Sequence, residues 1–154
     1  MKTRIVALAG AVAALTGCGS ATDAVTFTAP PSFHEKASVG PFMQVWESAP
    51  HTALVLMSLP VAMNLDKAMD QADLKDATVR KRERTTICGN QQAVFIDAQG
   101  QMNAGNESGT GRPSEIEFIA TNVKGKTYLA FYGRPLHSPA DPAAQAAIRN
   151  VCPK

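Results

Sequence analysis

Residues 114–122, SEIEFIATN, alternate in polarity. Ile116, Phe118 and Ala120 fall on one side, and Glu115, Glu117 and Thr121 on the other. A period of two is the geometry of an extended strand, whose successive side chains point to opposite faces; a helix would scatter these residues around its circumference. Val123-Lys124-Gly125-Lys126 then supplies turn chemistry and leads into residues 127–134, TYLAFYGR, a second strand-forming run. The pair predicts an antiparallel hairpin. Whatever this chain folds into must be built around a sheet that contains it.

The same signals recur upstream. Residues 25–28 and 42–47 read as strands, the first ended by Pro30-Pro31, which cannot continue a ladder. Residues 52–59, TALVLMSL, are apolar on both faces and belong inside a sheet, joined to the preceding strand by a turn at Pro50. Residues 78–88, TVRKRERTTIC, and 91–98, QQAVFIDA, flank Gly89-Asn90 and predict another hairpin. Between them and the hairpin of the opening lies a polar stretch, 99–113, punctuated by glycine, which reads as a mobile loop. Two segments change period. Leu65, Ala68, Met69 and Ala72 recur at helical spacing behind the capping residue Asn64, predicting a helix over 64–74. Ser138-Pro139 opens another, with Ala144, Ala147, Ile148, Val151 and Cys152 on its apolar face. The sum predicts an α+β fold, an antiparallel sheet of about five to seven strands with two helices packed on it.

The first seventeen residues stand apart. Lys2 and Arg4 precede an apolar run, 5–15, and then come Thr16 and Gly17: the layout of a secretory signal. The run is too short to cross a bilayer, which takes about 20 apolar residues. Leu15-Thr16-Gly17-Cys18 resembles the lipobox of bacterial lipoproteins. That resemblance implies cleavage before Cys18, acylation of its thiol and a lipid-anchored protein of the bacterial cell envelope. Gly19 in place of an aspartate implies the outer membrane, with the domain facing the periplasm. One acyl chain holds weakly, whereas two or more hold stably. On this reading 1–17 are removed, 18–24 form a flexible tether, and 25–154 make a single domain.

Losing Lys2 and Arg4 changes the charge. The whole chain holds 15 Lys plus Arg against 13 Asp plus Glu, and processing leaves 13 of each. A neutral average carries no footprint for nucleic acid; the membrane is met through the acyl chains on Cys18. With Cys18 acylated, Cys88 and Cys152 remain as an even pair in an oxidising compartment, and the lipoprotein reading implies a disulfide between them rather than two buried thiols or a metal site. The order of paired strands, helix, meander and last helix, with ICGNQQAVF at 87–95 and YLAFYGRP at 128–135, is similar to the PsbP-like fold. That similarity implies an accessory or binding protein without catalysis.

Catalytic spacing is missing. His34, His51 and His137 stand in no H-E-x-x-H arrangement, no serine lies in a G-x-S-x-G elbow, and GNESGTG at 105–111 lacks the Lys-Ser or Lys-Thr of a phosphate loop. No metal and no cofactor are expected, and a hydrolase using His51 or His137 as base is the least supported reading. The one charge cluster is Arg80-Lys81-Arg82-Glu83-Arg84. On a strand, Arg80, Arg82 and Arg84 would share a face able to meet carboxylates, phosphates or headgroups. The plainer alternative is a charged sheet edge with Glu115 and Glu117 as cross-strand partners. Tyr128 and Tyr132 beside this strand complete the candidate binding surface. The expected function is a non-catalytic envelope lipoprotein that binds a protein or envelope component; the alternative is a carrier of a small or anionic ligand through the strand Arg80–Arg84.

Overall fold

The structure, a computed structural model, describes residues 20–49, 51–67, 77–102 and 112–154. Nine strands appear among them: β1 (Val25–Thr26), β2 (His34–Val39), β3 (Met43–Ala49), β4 (Thr52–Leu59), β5 (Thr78–Ile87), β6 (Gln91–Met102), β7 (Arg112–Val123), β8 (Lys126–Pro135) and β9 (Cys152–Pro153). Seven of them form one antiparallel sheet in the order β2-β3-β4-β8-β7-β6-β5, and β1 pairs with β9 in a small second sheet. Two meanders, β2-β3-β4 and β5-β6-β7-β8, are thus joined where β4 meets β8.

The α+β expectation is corrected. The protein is mostly β, 59% strand, and its one α-helix among the described residues is α1, Pro142–Ile148. Of the helix expected over 64–74, Leu65–Lys67 is a single 3-10 turn, in which Asn64 Oδ1 accepts from Asp66 N–H; residues 68–74 lie outside the described residues. The strand content grew at places where local pattern is silent. β6 and β7 run twelve residues each, so both ends of the stretch 99–113 are ladder rather than loop, with Gln101 opposite Pro113. Gly100 is needed there for contact: a Cβ on it would meet Ala77 Cβ at 3.1 Å. Residues 103–111 lie outside the described residues.

The predicted hairpin is β7–β8. Lys124 (φ 49°) and Gly125 (φ 77°) both adopt the left-handed conformation between the paired residues Val123 and Lys126. Two consecutive positive φ values match the twist of the strands they join. Sheet alternation then makes two cores. Leu54, Leu56, Phe95, Ile119, Tyr128 and Tyr132 lie on the first face, covered by Ala144, Ala147 and Ile148 of α1, by Val151 and by Val25 of β1. Val94, Ile96, Ile116, Phe118, Leu129 and Phe131 lie on the second face, with Phe118 and Phe131 ring centroids 5.0 Å apart and Leu65 of the 3-10 turn packed against them. Each such buried side chain contributes roughly 1.5–3 kcal/mol relative to exposure.

The helix starts one proline later than Ser138-Pro139. Asp141 is the N-cap, its carboxylate accepting from Ala143 N–H at 2.9 Å, and Pro142 takes the first helical position. Ser138 is used instead in a turn, its Oγ donating to the Pro135 carbonyl at 2.6 Å. A disulfide joins Cys88, in the β5–β6 turn, to Cys152, with the Cα atoms 5.6 Å apart. Cys152 is in β9 rather than on the helix, so the bridge ties the tip of a sheet hairpin to the small sheet. The expected tether is folded where it is described. Ala21 is 1% exposed within the first core, and Asp23 N–H closes a turn onto the Ser20 carbonyl at 3.1 Å.

Candidate functional site

β5 is an edge strand, and its arginines do not form one face. The register slips between Val79 and Lys81, leaving Arg80 as the extra residue of a β-bulge. Beyond the bulge Arg82 stands opposite Ile96 and Arg84 opposite Val94, both residues of the second face. Arg80 is turned to the first face, where Nη2 donates to Asp97 at 2.6 Å and Nη1 to Glu115 at 3.4 Å. The bond to Asp97 is the main reason its guanidinium is held above its ordinary range.

Arg80 there joins the densest polar cluster among the described residues. Arg134 Nη2 donates to Glu115 at 2.5 Å and Nη1 to Glu117 at 3.0 Å, with side-chain exposures of 11% for Arg134 and 12% for each glutamate. Arg134 Nε donates to the Ser138 carbonyl, and Gln145 of α1 donates to both oxygens of Glu117. Two carboxylates side by side on one strand are the raw material of acid–base chemistry. Here both are spent on a buried guanidinium, so the cluster locks α1 and the β8 end onto the sheet. Arg134 was legible in principle. Given a two-residue turn at Lys124-Gly125, counting back along both strands sets Glu115 opposite Arg134.

The remaining candidates are dispersed. Arg84 reaches down to Asp66, with two nitrogens on two carboxylate oxygens, beside a cavity of about 320 Å³ lined by Leu65, Gln92, Val94 and Asn122 among others. Arg82 is exposed and makes no ion pair among the described residues. Tyr128 and Tyr132 are not beside β5: two strands, β7 and β6, separate β8 from it, and both rings are buried in the first core. The Tyr132 hydroxyl accepts from Asp141 N–H at 2.9 Å, and burial pushes its phenol above the ordinary range. The expected surface of three arginines and two tyrosines therefore does not exist as one surface. A bulge removes Arg80 from it, and the helix and small sheet cover the tyrosines.

At the opposite end of the strands a second polar group fixes the loop after β4. Thr127 Oγ1 lies 2.9 Å from the Val61 carbonyl and accepts from Met63 N–H at 2.8 Å, while Asn122 Nδ2 donates to the Met63 carbonyl. Sequence patterning gave no sign of it, because both residues read only as hairpin ends. His51 and His137 sit in turns with left-handed φ. Among the described residues neither meets a nucleophile, no group of three or more His, Cys, Asp and Glu could hold a metal, and no helix is long and apolar enough to cross a membrane. Cys18 lies outside the described residues.

No family model and no curated protein matches the chain. Solved structures do match it, among them that of a Pseudomonas aeruginosa protein of unknown function, PA94, described as a candidate regulator. It is similar to this chain at a TM-score of 0.50 with 16% identity, covering 85% of this chain and 98% of that one. The likeness is one of fold alone.

Proposed function

We propose that the protein is a lipid-anchored, non-catalytic component of the bacterial cell envelope whose domain binds another protein or envelope component. The observation that carries this is Leu15-Thr16-Gly17-Cys18 behind a basic start and an apolar run too short to span a bilayer. The Cys88–Cys152 bridge supports it, since such bonds persist in oxidising compartments. The commitment of Glu115 and Glu117 to Arg134 supports a binding rather than a catalytic role. The carrier alternative rested on Arg80, Arg82 and Arg84 acting together, and two of these three are in ion pairs on different faces.

Expressing the full chain with an alkyne fatty acid in the medium tests the anchor. The wild-type protein takes up label and sediments with membranes, whereas Cys18→Ser takes up none. Label on Cys18→Ser, or an unlabelled wild type, overturns the proposal.

A further inference from the structure

Acylation of Cys18, as proposed above, would leave the domain almost no slack. Ser20 already belongs to the turn closed by Asp23, and Ala21 is in the core. Two extended residues reach at most about 7 Å, so the surface around Ser20 must lie at the headgroups. Backbone connections identify that surface. Asp23 precedes Ala24, whose carbonyl accepts from Lys154 N–H at 3.1 Å, and the Lys154 carbonyl accepts from Lys124 Nζ at 3.3 Å in the β7–β8 turn.

Sheet register brings three other features to the same end. Val39 pairs with Met43 at the β2–β3 turn, Met43 with Met57, Met57 with Leu129 and Leu129 with Ala120, so the β2–β3 turn, the end of β4 and the β7–β8 turn face the same way. Phe42 is 55% exposed, Val39 53% and Val61 58%; among the described residues the other large exposed apolar side chain is Val79, near the start of β5 at the far end. The near end also carries Lys124, Lys126 and Lys154, with Asp23 as an exposed acid and Asp66 already held by Arg84.

We infer that this end docks on the phospholipid surface, with Phe42, Val39 and Val61 entering the interface and Lys124, Lys126 and Lys154 meeting the phosphates. Apolar side chains and lysines at one end suit an interfacial surface, because the ammonium groups stay at the headgroups while the apolar groups leave water. The domain is then held in one orientation, presenting the opposite end, with the β3–β4 turn and α1, away from the membrane.

Tryptophan quenching tests this on the full chain, produced with its signal, purified and placed in vesicles of phosphatidylethanolamine and phosphatidylglycerol with brominated acyl chains. Trp46 is the single tryptophan. In a Trp46→Phe background, Phe42→Trp and, independently, Val61→Trp report on the docked end, and Val79→Trp reports on the far end. A side chain seated about 5–10 Å into the headgroup boundary should be quenched roughly twofold relative to unbrominated vesicles, and Val79→Trp not at all. Intact mass separates the two failures. Acylated protein with both near-end reporters unquenched, or with Val79→Trp quenched equally, overturns the docking alone. Protein without acyl chains on Cys18 overturns the anchor and the docking with it.

Discussion

Arg134→Met isolates the energetics of the buried cluster. The substitution keeps most of the apolar stem of the side chain but removes the guanidinium from between Glu115 and Glu117. Both carboxylates are about as buried as their partner, at 12% side-chain exposure. Glu115 keeps only the long contact to Arg80 at 3.4 Å, and Glu117 keeps the neutral amide of Gln145. Breaking a buried pair by removing one partner costs about 3–5 kcal/mol, since the charge left behind is poorly hydrated and poorly compensated. Against a total stability of about 5–15 kcal/mol that is a large fraction, equivalent to a fall in Tm of about 10–20 °C for a domain of this size. The assay is urea unfolding at neutral pH. Adding Glu115→Gln and Glu117→Gln to Arg134→Met restores most of the loss. A variant within about 1 kcal/mol of wild type at neutral pH, or a triple variant no more stable than Arg134→Met, would refute the claim that these charges are buried and mutually dependent.

Two further outcomes follow from the same structure. Replacing Cys88 and Cys152 by alanine opens a constraint spanning 64 residues and costs about 4 kcal/mol in the chain-entropy account, read as a Tm loss of about 15 °C by calorimetry; an unchanged Tm would mean that the bridge restrains nothing in the unfolded chain. Tyr132 has its phenol raised by burial, so it contributes stability that is present below the unfolded value of about 10 and is lost as pH rises through the folded value. Tyr132→Phe costs about 1–3 kcal/mol at neutral pH by orphaning Asp141 N–H, and it unfolds less steeply than wild type in alkaline titration; equal alkaline slopes would contradict the assignment.

The β7–β8 hairpin was legible because its alternation and its turn residues agree, and TALVLMSL showed its interior place through apolar residues on both faces. β2 was not: HEKASV is exposed along its whole length, so no buried face imprints a period on it. Asp141-Pro142 and Ser138-Pro139 carry the same capping chemistry, and only the packing of Ala144, Ala147 and Ile148 on the sheet chooses between them. The candidate surface failed for two long-range reasons. The bulge at Arg80 is a property of how β5 pairs with β6, and the burial of Tyr128 and Tyr132 depends on chain that follows them and chain that precedes them by a hundred residues or so. Local pattern assigns residues to strands; it does not say what will lie over them.

The bulged, cationic β5 also bears on how copies of this protein can meet. An open seven-stranded sheet leaves two edges on which a second sheet could extend the ladder. Two β5 strands brought together would set side by side two runs of Arg and Lys with Glu83 as the one acid in each, and the irregular step at Arg80 would break the ladder before it lengthened. An edge this irregular and this rich in positive charge resists the zipping of one copy onto the next into fibres.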